Sequence, residues 1–295
     1  MICLEPDRLA GFYEAAFGFT PTGAISIREP ALAELIGVPE ATARVITLRL
    51  GEQQIALAGI WPSGRSYPRN VAGPSPLFQH CAIVVSDMAA AYARLSAQAG
   101  WNTISTDGPQ VLPASSGGVT AYKFRDPEGH PLELLAFPRN AIPVRWQNFQ
   151  ASGCLGIDHS AISIADTKRS VMFYERLGLT CIRSSLNRGP EQDELDGIAE
   201  AFVEVTALAL PINSTPHIEL LCYRDTGARK WALPNTNDIA ATRLVLAVDN
   251  KEILRALCAQ CSDALLSGPV RFESGASRAM LRDPDGHLLC LEAPP

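Results

Sequence analysis

The sequence predicts an α+β fold that contains four consecutive β-α-β-β-β units. The first observation is an internal repeat, because FRDPEGHPLELLAFP at 124–138 recurs as LRDPDGHLLCLEAPP at 281–295. In both copies an Asp-Pro pair and a Gly precede an apolar run, which indicates a tight turn followed by a strand. The second observation is a strand that leads into an acidic helix cap, found as HCAIVVSD, HSAISIAD and TRLVLAVD. Repetition of one supersecondary unit is typical of a modular array.

Length and composition bound the domain count and the classes of partner. The chain has 295 residues, of which 47% are hydrophobic and 19% charged, and this suits two domains of roughly 150 residues each. A net charge of −6 without a Lys/Arg block indicates neither a nucleic acid nor an anionic membrane as partner. No apolar run approaches the ~20 residues of a membrane span and no signal peptide is visible, so we expect a cytoplasmic protein. The eight cysteines lack zinc-finger spacing and are expected to be reduced, mostly buried thiols.

The first domain is predicted at 1–138. Its first unit, 1–60, opens on a helical apolar pattern that ends at Gly18, so the first strand of the unit is truncated. Two apolar runs, 44–50 and 54–58, then predict a hairpin. The Pro-, Gly- and Ser-rich segment 61–76 predicts a loop that either contributes to binding or simply connects the units.

The second unit, 76–138, shows the complete pattern. Strand 78–86 leads to Asp87, which caps a helix that Gly100 ends. Three further strands are expected near 101–105, 119–124 and 132–137. The next segment has no periodicity, so we place a linker between the domains at 139–154.

The second domain is predicted at 155–295 and repeats the pattern twice. In the third unit, 155–225, Asp166 caps a helix, and strands are expected near 156–165, 179–185, 201–208 and 217–223. Its polar insertion 187–199 either covers a ligand or forms a solvated loop. In the fourth unit, 240–295, Asp249 is the expected cap, and strands are expected near 242–248, 264–266, 279–281 and 288–291.

Glu133 interrupts the apolar run of the first repeat copy. A carboxylate inside a hydrophobic strand is costly unless it is paired or bound to a cation, so Glu133 is a first pointer to a site. A strand at the edge of a sheet, with Glu133 facing water, would also accommodate it.

The phrases FYEAAFGF and FYERLGL, the DPxGH turns and the fourfold unit resemble the vicinal-oxygen-chelate superfamily. This superfamily includes glyoxalase I, methylmalonyl-CoA epimerase, fosfomycin and bleomycin resistance proteins, and extradiol dioxygenases. The resemblance covers essentially the whole chain. It implies four modules paired into two cup-shaped mixed β-sheet domains around a site that often holds a divalent metal. The resemblance alone does not fix the reaction.

The resemblance also implies the position of a metal site. In metal-dependent members, ligands come from the first and last strands of a unit. Transferred by position, units two and three supply a complete set: His80, Glu133, His159 and Glu219. Unit four has Thr242 and Cys290 at these positions, and unit one lacks the His position and has Ile55 at the Glu position. One site is therefore expected, between units two and three.

Two imidazoles and two carboxylates suit one divalent ion, such as Ni, Co, Zn, Fe or Mn, with open positions for substrate oxygens. The expected function is that of a glyoxalase-I-like lyase or isomerase acting on a small-molecule substrate with vicinal oxygens, with Glu133 or Glu219 moving a proton. The alternatives are a ligand-sequestering protein of the bleomycin-resistance type and a ring-cleavage dioxygenase. The resemblance disfavours the latter, because units three and four supply only one His. The chain is expected to be a monomer or a homodimer.

Other candidate residues have less specific signals. His130 and His287 follow the turn glycines, which favours a role in the turns over metal ligation. His217 shares a strand face with Glu219 and either supports the site or simply packs. Two cations and a tyrosine of the first long loop either bind an anionic substrate or are solvated: Arg65, Arg69 and Tyr67.

Overall fold

The computed structural model describes residues 1–69, 71–147, 153–211, 213–224 and 232–295. The predicted α+β class is confirmed: helices pack on three mixed sheets, and each unit places its first strand parallel to its last. Residue 70 of the predicted loop, 148–152 of the predicted linker, and 212 and 225 of the predicted third unit lie outside the described residues. No helix in the described part of the chain is both long and apolar enough to cross a membrane.

Unit one forms a four-stranded sheet in the order β1-β4-β3-β2. Its elements are β1 (Ile2–Cys3), α1 (Pro6–Phe17), β2 (Thr20–Ile27), α2 (Pro30–Ile36), β3 (Thr42–Leu50) and β4 (Gln53–Trp61). The opening strand is two residues long and pairs parallel with β4. The sequence predicted α1 and the hairpin, but it did not predict β2 or α2. Strand β2 is an almost fully exposed edge strand, so it lacks the buried apolar pattern by which strands are recognised.

Units two and three share one nine-stranded sheet, in which β11-β12-β13-β10-β5-β9-β8-β6 are neighbours and β7 also pairs with β8. Unit two comprises β5 (Gln79–Val85), α3 (Met88–Ser96), β6 (Asn102–Thr103), β7 (Gln110–Val111), β8 (Thr120–Arg125) and β9 (Pro131–Ala136). Between the units lies a short helix, α4 (Val144–Gln147). Unit three comprises β10 (Cys154–Ile164), α5 (Thr167–Arg176), β11 (Thr180–Arg188), α6 (Pro190–Asp196), β12 (Phe202–Leu210) and β13 (Asn213–Tyr223). The first strands of the two units, β5 and β10, pair antiparallel and join them.

Helix α6 lies within the insertion 187–199. The prediction left open whether this segment covers a ligand or forms a solvated loop. It is not solvated throughout, because Gln192, Leu195 and Asp196 are buried. The helix packs on unit two, where the Ser105 hydroxyl donates to the Leu195 carbonyl at 2.9 Å and the Thr106 N–H donates to the Glu194 carbonyl at 2.9 Å.

Unit four forms the third sheet, in the order β14-β17-β16-β15. Its elements are β14 (Arg243–Ala247), α7 (Lys251–Gln260), β15 (Leu265–Arg271), β16 (Ser277–Arg282) and β17 (Leu288–Ala293). Helices α5 and α7 share one apolar cluster, whereas α1 and α3 share another.

The two DPxGH turns connect neighbouring units. The Tyr13 hydroxyl of the FYEAAFGF phrase donates to Asp126 at 3.1 Å, and the Tyr174 hydroxyl of FYERLGL donates to Asp283 at 3.0 Å. His130 lies 2.8 Å from the carbonyl oxygen of Ile2 in unit one. In the second turn His287 likewise contacts the Ser163 carbonyl of unit three at 2.7 Å. Both turn histidines are buried and hold a turn against another unit.

Two of the three predicted helix caps are confirmed, and the third is corrected. Asp87 and Asp166 accept from the N–H groups of Ala90 and Arg169 at 3.0 and 2.8 Å, as predicted. The prediction of Asp249 was wrong, because Asn250 accepts from Ile253 N–H at 2.9 Å and α7 begins one residue later than the matching helices.

The cap shift moves the alignment of unit four by one residue. In units two and three the candidate histidine lies seven residues before the cap. The residue at that position in unit four is therefore Arg243, and not Thr242. Cys290 still occupies the position equivalent to Glu133. The pairing of β14 with β17 sets Cys290 opposite Val245, which is two residues after Arg243. In unit one, the pairing of Ile2 with Ala58 puts Ala56 at the Glu position in place of Ile55. The sequence assignment failed at both places because it lacked the strand register.

Asn250→Ala is expected to lower the free energy of unfolding by about 1 kcal/mol, because it removes the side-chain acceptor from the first turn of α7. Asp249→Ala is the matched control and is expected to change it by less than about 0.5 kcal/mol. Urea unfolding followed by circular dichroism measures both. A larger effect of Asp249→Ala would restore the original cap assignment.

Candidate metal centre

The four residues predicted as ligands lie at the join of units two and three. His80 is on β5, Glu133 on β9, His159 on β10 and Glu219 on β13, and all four are at most 8% exposed. The structure therefore brings the complete predicted set together in the interior of one sheet.

Strand register explains why the set converges. In unit two, β9 sets Glu133 opposite Ala82, two residues after His80. Unit three has the same offset, because β13 sets Glu219 opposite Ala161, two residues after His159. Residues two apart on a strand point to the same face of the sheet. The antiparallel pairing of β5 with β10 sets His80 opposite Ala161 and His159 opposite Ala82, so both His-Glu pairs point to one face.

The ligand atoms are close together. Glu133 Oε2 lies 3.0 Å from His80 Nε2 and 3.5 Å from His159 Nε2. Glu219 Oε2 lies 3.5 Å from His159 Nε2 on the other side. One ligand atom from each of His80, Glu133 and His159 falls within a 4.8 Å group. This spacing suits several donors around a single ion.

His159 is oriented for ligation by its neighbour. Its Nδ1 lies 3.1 Å from Asp158 Oδ2, whereas its buried Nε2 has no hydrogen-bond partner within the described ranges. A carboxylate at one imidazole nitrogen fixes the tautomer that leaves the other nitrogen free for a metal. A buried polar nitrogen without a hydrogen bond is costly, and a bound cation would remove that cost.

The electrostatics of the cluster also favour a cation. Burial tends to lower the pKa of His159, but Glu219, Asp158 and Glu133 outweigh burial and raise it to about 10. Burial tends to raise the pKa of Glu133, but its contacts with the two imidazoles hold that pKa well below its usual range. The carboxylates therefore favour positive charge at the position of His159. A divalent ion on the same donors would supply it, so the residues fit a metal site.

A cavity of about 380 Å³ opens from the four residues. Its walls include the turn Ala114–Ser116 of unit two and residues of α6, β11, β12 and β13 of unit three. Units two and three thus both contribute to one pocket with room for a small molecule.

Comparison with known proteins gives one family match, over the first part of the chain. Residues 2–134 match the model of the Glyoxalase/Bleomycin resistance protein/Dioxygenase superfamily. This part of the chain belongs to that superfamily. A search of curated proteins found no match.

Two solved structures have a similar fold over nearly the whole length of this chain. Glyoxalase I from Zea mays is 17% identical, with 99% of this chain and 89% of that chain covered and a TM-score of 0.61. A candidate dioxygenase from Bacillus subtilis is 13% identical, with 100% of this chain and 83% of that chain covered and a TM-score of 0.61. At these identities the likeness shows the fold alone.

Asp158 is a residue that the superfamily pattern did not indicate. Alternation along a strand would turn it away from the face of His159. A register shift between Ile157 and His159 indicates a bulge at Asp158, and both side chains line the cavity. The adjacent position in the sequence was the only available signal, and strand periodicity argued against it.

Arg183 and His217 surround Glu219. Arg183 Nη2 donates to Glu219 Oε1 at 2.9 Å, and His217 Nε2 lies 3.3 Å from the same oxygen. The prediction left open whether His217 supports the site or simply packs, and its contact with Glu219 favours support. The sequence did not indicate Arg183, whose strand β11 also has a register shift between Cys181 and Arg183.

The remaining candidates do not line the cavity. Arg65 pairs with Asp238 at 2.7 Å, and the buried Tyr67 donates to the Leu77 carbonyl at 2.5 Å. Arg69 is exposed. Cys290 is buried, and burial raises the pKa of its thiol to about 11.

Proposed function

We propose that this protein is a cytoplasmic metal-dependent lyase or isomerase of the glyoxalase I type, acting on a small substrate with vicinal oxygens. The observation that supports this most directly is the position of His159 Nε2, which has no hydrogen bond within the described residues and lies 3.5 Å from both Glu133 Oε2 and Glu219 Oε2, with His80 in the same group. These four residues would hold one divalent ion among Ni, Co, Zn, Fe and Mn.

The bound ion would supply a Lewis acid for two vicinal substrate oxygens, which makes the C–H of a carbon next to a substrate carbonyl more acidic. A carboxylate of the chain then takes the proton from that carbon and returns it to the neighbouring position. We assign this step to Glu133. Glu219 is less suited, because its Oε1 is already held by Arg183 at 2.9 Å and contacts His217 at 3.3 Å, whereas the contacts of Glu133 are with the candidate ligands His80 and His159.

The test of this proposal is the metal content of protein purified without a His tag. Wild type is expected to hold about one equivalent of metal, whereas His80→Ala and Glu219→Ala are expected to lose most of it, because each removes a donor. Glu52→Ala, an exposed position, is the matched control and should keep the metal. Wild type that stays metal-free after reconstitution would refute the proposal.

Asp158→Asn is expected to weaken metal affinity by about 10- to 100-fold, because the amide cannot hold the His159 tautomer as the carboxylate does. Competition with a chromogenic chelator measures the change. Asp107→Asn replaces an exposed carboxylate and should leave affinity unaltered. Equal affinities in both variants would show that Asp158 does not orient His159.

One observation favours a ring-cleavage dioxygenase as a second candidate. The three donors in the 4.8 Å group, His80, His159 and Glu133, are two imidazoles and one carboxylate, the set used by non-haem Fe(II) oxygenases. This candidate requires oxygen uptake with Fe(II) and catechol, measured with an oxygen electrode. Saturable ligand binding that survives both a chelator and Glu133→Gln would instead favour a ligand-sequestering protein.

A further inference from the structure

A buried polar cluster lies beside the four candidate ligands and plays no part in the proton transfer proposed above. At its centre is Asp196, at the end of α6, which is 4% exposed. Its Oδ1 accepts from Lys123 Nζ at 2.6 Å, and its Oδ2 accepts from Gln192 Nε2 at 2.8 Å and from the Tyr223 hydroxyl at 3.0 Å. Lys123, Gln192 and Tyr223 all line the cavity. One carboxylate thus fixes three polar side chains in the cavity wall.

Two of these side chains have bonding capacity left. Gln192 is 3% exposed, and its Oε1 has no hydrogen-bond partner in the described part of the chain. Lys123 is 4% exposed and has three ammonium protons, one of which Asp196 accepts. An acceptor and a donor are therefore held side by side on the same carboxylate. Buried groups of this kind are costly unless a ligand or water completes their hydrogen bonds.

The cluster adjoins the candidate metal centre. Lys123 on β8 lies directly opposite Glu133 on β9, and side chains of such a cross-strand pair share a face of the sheet. The Cβ atoms of directly opposed residues are only about 5 Å apart. A molecule of a few carbon atoms can therefore reach both the four candidate ligands and the cluster.

We propose that Lys123 and Gln192 form a hydroxyl-binding subsite, so that the substrate carries a further hydroxyl group next to its vicinal oxygens. A hydroxyl accepts one hydrogen bond and donates another, which matches the Lys123 donor and the Gln192 Oε1 acceptor. A methyl group in its place leaves both buried groups unpaired, and sites built for a hydroxyl reject such analogues. The inference rests on the proposed function for the vicinal oxygens and adds the class of substrate.

The test compares two probes that differ by one hydroxyl, L-glycerate and L-lactate, in Co²⁺-loaded protein. Both share a carboxylate and a vicinal hydroxyl, so a difference in dissociation constant isolates the extra hydroxyl. The visible absorption of Co²⁺ reports binding. Wild type is expected to bind glycerate about 10-fold or more tightly than lactate. Gln192→Leu should abolish the preference, whereas Gln54→Leu, an exposed control on β4, should retain it.

Two outcomes would overturn the subsite: equal affinities in wild type, or a preference that persists in Gln192→Leu. If that variant does not fold, Gln192→Met also lacks the amide and replaces it. Failure of the proposed function gives a different result, namely no Co²⁺ uptake by wild type. The two probes are then compared by calorimetry on metal-free protein, where equal binding or no binding of either overturns the subsite as well.

Discussion

Glu133→Gln is expected to slow proton exchange at a substrate carbon by about 10²- to 10⁴-fold, the usual contribution of a positioned general base. The amide keeps the size of the side chain but cannot take a proton. The readout is the exchange of the hydroxymethyl protons of hydroxyacetone with D₂O, followed by proton NMR on protein saturated with Co²⁺. Hydroxyacetone has vicinal oxygens, so its exchange reports the first step of the proposed reaction without knowledge of the natural substrate.

Glu219→Gln is the matched control for this prediction. Arg183 holds Glu219 Oε1 at 2.9 Å, so we assign Glu219 to ligation and not to proton transfer. The variant is expected to need more Co²⁺ for saturation, and to exchange within about tenfold of wild type once saturated. Slow exchange in saturated Glu219→Gln, with nearly wild-type exchange in Glu133→Gln, would identify Glu219 as the base. Wild-type exchange in both saturated variants would rule out either carboxylate as the base.

The convergence of the four candidate ligands could be predicted because the units repeat their strand register as well as their sequence. Glu133 lies beside the residue two after His80, and Glu219 lies beside the residue two after His159. When the units are aligned on their turns and helix caps, the candidate His and Glu fall at equivalent positions, even though the sheet is not known. The same alignment failed in unit four, where Asn250 and not Asp249 caps the helix. Either residue type can cap, so the sequence could not decide between two neighbours.

The surroundings of the four candidate ligands could not be predicted, because they depend on irregular or non-local structure. Asp158 borders the cavity at a register shift, which breaks the strand periodicity that a sequence pattern assumes. Gln192 and Asp196 belong to α6, a short helix whose polar sequence resembles a solvated loop. They are buried because unit two supplies Lys123, 73 residues away in the chain. No local signal reports such a partner.

Asp196→Ala is expected to lower the free energy of unfolding by about 3–5 kcal/mol, because it removes the hydrogen-bonded carboxylate partner of the buried Lys123 ammonium. Burial tends to lower the pKa of Lys123, but the carboxylates of Asp196 and Glu133 together outweigh burial and raise it. Without Asp196 the lysine must either lose its proton or draw water into the cavity wall. The Gln192 amide and the Tyr223 hydroxyl lose their acceptor as well. Urea unfolding at pH 7 measures the change in the free energy of unfolding.

A charge-free replacement of the pair separates the buried charge from the packing of α6. Lys123→Met combined with Asp196→Leu removes both charges at similar volume, and it is expected to recover more than half of the stability lost in Asp196→Ala. Arg8→Ala breaks the exposed pair with Glu5, where the side chains are 75% and 62% exposed, and should cost less than about 1 kcal/mol. A double variant as unstable as Asp196→Ala would mean that the uncharged hydrogen bonds of Asp196, and not its pairing with Lys123, hold α6 against unit two.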